Sequence, residues 1–226
     1  MPSAPSTSWR PRVRPWRRPP GADDPQQRLL ERLRPHVGDE RVLAALESVP
    51  RDRFVPESLR EEAWDNVALP IGSGQTISQP LVVARMCELL ELTGDERVLD
   101  VGTGSGYHAA VLARLAAHVW SIERHSALSK TAAANLAAAG VANVTLLVGD
   151  GARGHRAAAP YDAINVAAAM DEVPVELCEQ LAEGGRLVGP VDAHDQRLVL
   201  LRRAASGLER EAHERVRFVP LISGRD

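Results

Sequence analysis

Residues Val98-Leu99-Asp100-Val101-Gly102-Thr103-Gly104-Ser105-Gly106-Tyr107 read as an apolar strand ending in an acid, a turn with three glycines in five positions, and the start of a helix. Glycines in such a turn allow tight backbone geometry and the close approach of a ligand. Dinucleotide sites space them as GxGxxG. Here the spacing is GxGxG, and Asp100 stands two residues before the first glycine. A carboxylate that close repels a pyrophosphate and favours a cationic group. S-adenosylmethionine carries a sulfonium and an amino group, so the turn suits that methyl donor better than NAD. An NAD-dependent dehydrogenase is the competing enzyme class, told apart by which cofactor shifts the melting temperature.

The pattern continues downstream. Glu123 closes the run Val119-Trp120-Ser121-Ile122, 23 residues after Asp100, where a carboxylate can accept both hydroxyls of a ribose. One strand later, Gly149-Asp150-Gly151 offers a carboxylate and a backbone amide to an adenine edge, although Asp-Gly is also a common turn pair. Short apolar runs at Arg97–Val101, 118–122, Val144–Val148, 162–167 and 186–191 alternate with alanine-rich stretches of helical length at 106–117, 126–139 and 172–183. Gly140 and Gly184 stand where helix-terminating glycines belong. Strands alternating with helices give βαβ units, hence a doubly wound α/β fold whose mostly parallel sheet is covered by helices on both faces. Two last runs, 196–203 and 214–221, are joined by a glycine-containing turn at 205–208 and should add an antiparallel hairpin at the sheet edge.

Upstream, residues 25–50 read as helical, with Val42, Ala45, Leu46 and Val49 at i, i+3, i+4 and i+7. Arg51-Asp52-Arg53-Phe54-Val55-Pro56 ends that stretch and enters an extended linker. Pro80 opens a helix over 80–92 that aligns Val82, Met86 and Leu89 on one face, and Thr93-Gly94-Asp95 closes it. Residues 1–20 hold six prolines, five arginines and no acid. With no apolar face to bury, residues 1–24 are expected to be a disordered extension. Arg17-Arg18 lacks the apolar stretch that would follow it in an export signal.

The chain has 226 residues, of which 44% are hydrophobic. That is enough for one domain whose core needs no disulfide or metal. A formal net charge of −3 argues against a general nucleic-acid binder, and Lys130 is the single lysine in an arginine-rich set of bases. No run reaches the ~18 apolar residues of a membrane span. Cys87 and Cys178 sit among apolar neighbours without CxxC spacing, and His108, His118, His125, His155 and His194 share no ligand spacing. No metal is expected, and a reducing, cytoplasmic compartment fits.

Taken with Ile71-Gly72-Ser73-Gly74-Gln75-Thr76-Ile77-Ser78-Gln79-Pro80, these residues resemble the protein-L-isoaspartate (D-aspartate) O-methyltransferase family. Arg53-Phe54-Val55-Pro56, Gln75 to Pro80, Val98 to Tyr107, Gly149-Asp150-Gly151, Ala159-Pro160-Tyr161-Asp162-Ala163-Ile164 and Arg217-Phe218-Val219-Pro220-Leu221 occur in family order, spanning about residues 40–222. The glycine turn alone marks only a class of methyltransferases; the Gln-Thr-Ile-Ser-Gln-Pro segment is far more specific. The resemblance implies a Rossmann-like class I methyltransferase fold with a seven-stranded sheet over residues 25–226. An N-terminal helical and substrate-loop part (25–80) would precede the core (81–226).

The reaction it implies is methyl-esterification of the free α-carboxylate of L-isoaspartyl and D-aspartyl residues in damaged proteins. S-adenosyl-L-methionine is the donor, S-adenosyl-L-homocysteine the product, and repair proceeds through a succinimide. By the same resemblance Ser78 is the active-site serine, and Thr76, Ile77, Phe218, Val219 and Pro220 line the substrate with it. Asp100, Gly102, Thr103, Gly104, Gly106, Glu123, Asp150 and Gly151 hold the cofactor. The expected protein is a monomer acting on damaged proteins and peptides, with neither nucleic acid nor membrane as partner. Two other readings stand beside it: a carboxyl methyltransferase dedicated to one peptide pathway, and a non-catalytic S-adenosylmethionine-binding module. Ser78 also fits a helix N-cap before Pro80. The sequence departs from the family in the loop after the fourth core strand, where Ala167-Ala168-Ala169-Met170 replaces an Ala-Ala-Pro beside the active site.

Overall fold

The computed structural model describes residues 24–192 and 194–224. The expected N-terminal extension lies outside them, apart from Asp24. Helices α1 (Pro25–Leu33) and α2 (Glu40–Ser48) open the fold. Asp24 and Asp39 cap them, accepting the backbone N–H of Gln26 at 3.0 Å and of Arg41 at 2.8 Å. The helical stretch read over 25–50 is therefore two helices. Pro35, in the single turn Arg34–His36, lacks the N–H that would continue α1.

Strands β1 (Leu69–Gly72) and β2 (Gln75–Ile77) then form an antiparallel hairpin, a feature absent from the sequence reading. Its two turn residues, Ser73 and Gly74, have φ of 51° and 69°. That is the mirror-image turn whose twist suits a two-residue hairpin. Helix α3 (Pro80–Leu89) follows directly.

The rest builds one sheet. Its elements are β3 (Arg97–Val101), α4 (Tyr107–Leu115), β4 (His118–Glu123), α5 (Ser126–Ala138), β5 (Val144–Val148), β6 (Tyr161–Val166), α6 (Val175–Glu179), β7 (Leu181–Val191), β8 (Arg197–Ala204) and β9 (Gly207–Arg215). The seven strands lie in the order β5-β4-β3-β6-β7-β8-β9. β5 through β7 run parallel, and β8 and β9 are antiparallel to their neighbours. The doubly wound, mostly parallel seven-stranded sheet read from the sequence is the one observed.

Two boundaries differ. The helix read over 172–183 is only α6, and β7 already begins at Leu181. Gly184, with φ 74°, sits in an irregular stretch of β7 where pairing jumps from Tyr161–Leu181 to Ala163–Arg186, and so does not end a helix. The second hairpin strand is β9, not 214–221. β9 is charged and almost wholly exposed, so its sequence carries no apolar alternation to reveal it. Residues 216–224 run instead as a strap beside the β6–α6 loop. Ala169 N–H donates to Val219 O at 2.8 Å, and Leu221 N–H donates to Ala169 O at 2.7 Å.

Alternation along the strands sends side chains into two apolar layers. Val98, Val119 and Ala163 face α3 and α4, whereas Leu99, Val101, Ile122, Ile164 and Val166 face the layer with α6. Among the described residues no helix is long and apolar enough to cross a membrane.

Candidate active site

From β3 the sheet is wound outward in both directions, through β4 and β5 on one side and β6 on the other. In such sheets ligands bind in the crevice at the carboxyl ends of the strands beside this reversal. The glycine turn lies there. Gly102 has φ 95°, and its N–H donates to Ile122 O at 2.9 Å. Glu123, at the end of β4 and 5% exposed, accepts Gly104 N–H on Oε2 at 2.8 Å and His125 N–H on Oε1 at 3.0 Å. Each carboxylate oxygen has a further lone pair for a vicinal diol.

A narrow cleft is walled by Gly102, Gly104, Glu123, Gly151, Ala167 and Leu221. At Gly151 a Cβ would collide with Val101, so only glycine lets the chain after β5 close against β3. Across Ile122 lies a hollow of about 400 Å³ that contains Asp150 and Gly224. Asp150 accepts Ala152 N–H on Oδ1 at 3.0 Å and Gly224 N–H on Oδ2 at 2.8 Å. On the other side of the cleft a cavity of about 410 Å³ is lined by Thr76, Ser78, Ala167, Arg217, Phe218 and Val219. Thr76, Ala167 and Val219 border both cleft and cavity, and Pro220 walls the cleft.

Ser78 is half-buried in this cavity, and among the described residues its hydroxyl has no hydrogen-bond partner. The residue capping α3 is Gln79, whose side chain makes no capping bond, so the N-cap reading of Ser78 is not realised. Ile77 is turned into the core, 4% exposed, and supports the loop from below.

Asp100, Thr103 and Gly106 lie beneath the cleft and form no part of its wall. Asp100 is 0% exposed and accepts from Ser121 Oγ and Asn165 Nδ2, both at 2.7 Å. Burial pushes its carboxyl up to about 6, against those two hydrogen bonds and with the Glu123 charge adding to the rise. Ser121, Asn165, His108 and Gln196 are site residues that the sequence reading missed. Gln196 clamps the strap on both sides, accepting Phe218 N–H on Oε1 at 2.7 Å and donating through Nε2 to Phe218 O at 3.3 Å. The signal for Ser121 and Asn165 in the sequence was a polar residue inside an apolar strand; that both lie level with Asp100 is set by strand register. A further hollow of about 790 Å³, beside Cys178 and Leu208, lies at the opposite end, where the parallel strands begin.

A glycine turn at this switch point, with a carboxylate ending the next strand, defines a Rossmann-like nucleotide-binding fold. The sequence profile of the protein-L-isoaspartate(D-aspartate) O-methyltransferase family matches residues 24–226. The chain belongs to that family. A solved protein-L-isoaspartate O-methyltransferase is 29% identical with a TM-score of 0.78, over 86% of this chain and 65% of that one. The chain thus spans just under two thirds of that relative's length. A Plasmodium falciparum protein assigned as a protein-L-isoaspartate O-methyltransferase, solved with S-adenosyl-L-homocysteine, is 24% identical with a TM-score of 0.77. That match covers 89% of this chain and 100% of the other, and carries the fold.

Proposed function

We propose that the protein transfers a methyl group from S-adenosyl-L-methionine to the free α-carboxylate of L-isoaspartyl and D-aspartyl residues in damaged proteins, opening their repair through a succinimide. The observation that carries this reading is the meeting of two sites. The glycine-turn cleft and the Ser78 cavity adjoin at Thr76, Ala167 and Val219. The residues fit the cofactor: Glu123 keeps lone pairs for the ribose, Gly102 and Gly104 leave room for close approach, and Asp150 and Gly151 flank the place of the adenine. When bound, S-adenosyl-L-methionine supplies the electrophilic methyl group. The Plasmodium protein, solved with S-adenosyl-L-homocysteine, supports the choice of cofactor.

The chain's own task is orientation. The attacking carboxylate, with a pKa near ~4, is ionised at neutral pH and needs no general base. In-line displacement then draws its rate from alignment. Ser78 Oγ–H donates to one carboxylate oxygen and turns the other toward the cleft. Phe218, Val219 and Pro220 hold the peptide beside it. Anion and sulfonium lose charge together, so the half-buried cavity favours the transition state. A cytoplasmic monomer, with neither nucleic acid nor membrane as partner, belongs to this reading. Two free cysteines support a reducing compartment.

The test offers an aged, isoaspartyl form of a peptide with methyl-labelled donor. A base-labile methyl ester on that form, and none on the aspartyl form, is expected; the absence of ester overturns the reading. Ester on a single partner peptide alone would mark the dedicated pathway instead. Ser78→Ala should lower kcat about tenfold to a hundredfold, the worth of one hydrogen bond to a charged group, and leave cofactor Kd within about twofold. Glu123→Ala should weaken cofactor binding by a similar factor.

A further inference from the structure

Beneath the glycine turn, the apolar layer between the sheet and helices α3 and α4 holds a chain of polar groups. Asp100, Ser121 and Asn165 are register partners on three adjacent strands. They share the face that carries Val98, Val119 and Ala163 into the core. Asn165 has two amide hydrogens. One goes to Asp100, and the other is within reach of His108 Nδ1 at 3.2 Å. Nδ1 therefore accepts, which places the ring proton on Nε2, 3.5 Å from Cys87 Sγ. At the other end Ser121 spends its only hydrogen on Asp100, so the Thr103 hydroxyl donates to Ser121 Oγ at 2.6 Å. With the Asn165 amide in this orientation, these partners set the order of donors and acceptors along the chain.

The groups facing Asp100 are Ser121 and Glu123 from β4, Asn165 from β6, His108 from α4 and Cys87 from α3. Tyr107 and Arg51 lie behind Cys87, the guanidinium 5.1 Å from the tyrosine ring centre. Among the described residues no cation pairs with Asp100. Burial drives His108 down to about 3, leaving it neutral, and Glu123 has the same sign as Asp100. A buried carboxylate held by two donors and no cation is costly. This one sits directly under a cleft read as the place of a cationic cofactor.

We propose that Ser121 and Asn165, with His108 behind Asn165, are positioning residues that keep Asp100 ionised as a fixed counter-charge below the cleft, so that binding of the cationic donor is coupled to a proton on Asp100. With its amide placed this way, Asn165 presents N–H to the carboxylate, and its own Oδ1 is buried without a partner. A proton on Asp100 therefore goes to Oδ2, where Ser121 must turn to accept it and donate to Thr103 instead. Protonation thus reverses two hydroxyls and reaches the glycine turn through Thr103.

This rests on the S-adenosylmethionine reading above, and the test keeps the two apart. Kd is measured by calorimetry from pH 5 to pH 7 for S-adenosyl-L-methionine, cationic at sulfur, and for S-adenosyl-L-homocysteine, neutral there. With Asp100 poised near 6, the sulfonium ligand should bind roughly tenfold more weakly at pH 5 than at pH 7, and the thioether should change much less. Ser121→Ala and Asn165→Leu each remove one donor and should move the midpoint of the acid limb to higher pH. Ser121→Thr restores the hydroxyl and should return it. If Asn165→Leu does not fold, the two Ser121 variants carry the test. Equal profiles for both ligands, or variants that lower affinity evenly with the midpoint unmoved, overturn the proposal. Failure of the sulfonium ligand to bind at any pH would overturn the functional reading instead.

Discussion

Asp100 shows what one residue does at two levels. In the sequence it is the acid before a glycine turn; in the structure it is a carboxylate in an apolar layer, with no cation partner among the described residues. Burial holds its carboxyl near 6, above the ~4 of an unfolded chain. The folded state therefore grips the proton more tightly, and stability falls as pH rises from about 4 to about 6, then stays at the lower level. Asp100→Asn removes the charge and leaves an amide that can accept from Asn165 and donate to Ser121. It should raise the Tm of the cofactor-free protein at pH 8, by up to about 3 kcal/mol of stability, and leave it almost unchanged near pH 4. Thermal melts at the two pH values check this, and an equal gain at both would mean that charge burial is not the cause. Ser121 and Asn165 could not be assigned from the sequence, because their role depends on strand register.

At the scale of elements, the strap decides the shape of the cavity that holds Ser78. The run 214–221 reads as a strand because its apolar residues are real, but only 214 and 215 join β9. The remainder hydrogen-bonds to Gln196 and Ala169. Gln196→Ala frees the Phe218 backbone. It should raise the peptide KM several-fold and leave the Kd of S-adenosyl-L-homocysteine within about twofold; a matching rise in that Kd would place the strap's effect in the cofactor cleft. The β1–β2 hairpin is another element set by context. Three or four residues per strand give too short a period to read, and packing of Leu69 and Ile77 into the core fixes their pairing.

For the whole molecule, the family match and the described fold both begin at residue 24. Removal of residues 1–23 should leave Tm and methyl transfer unchanged, whereas a cut one residue later removes the Asp24 cap and should cost about 1 kcal/mol. Melting curves of the two truncations decide it, and a loss of activity with the shorter cut would make the N-terminal segment part of the enzyme. The sequence alone determined the alternation of strands and helices, the parallel sheet and the glycine turn. Each is written in local periodicity, in glycines at fixed spacing and in acids at strand ends. Only tertiary structure decided that Asp100, Ser121 and Asn165 form one polar row, that Ser78 lines a cavity and does not cap α3, and that residues 216–224 run as a strap beside both hollows. Those facts join residues far apart in the chain, and strand register and packing bring them together.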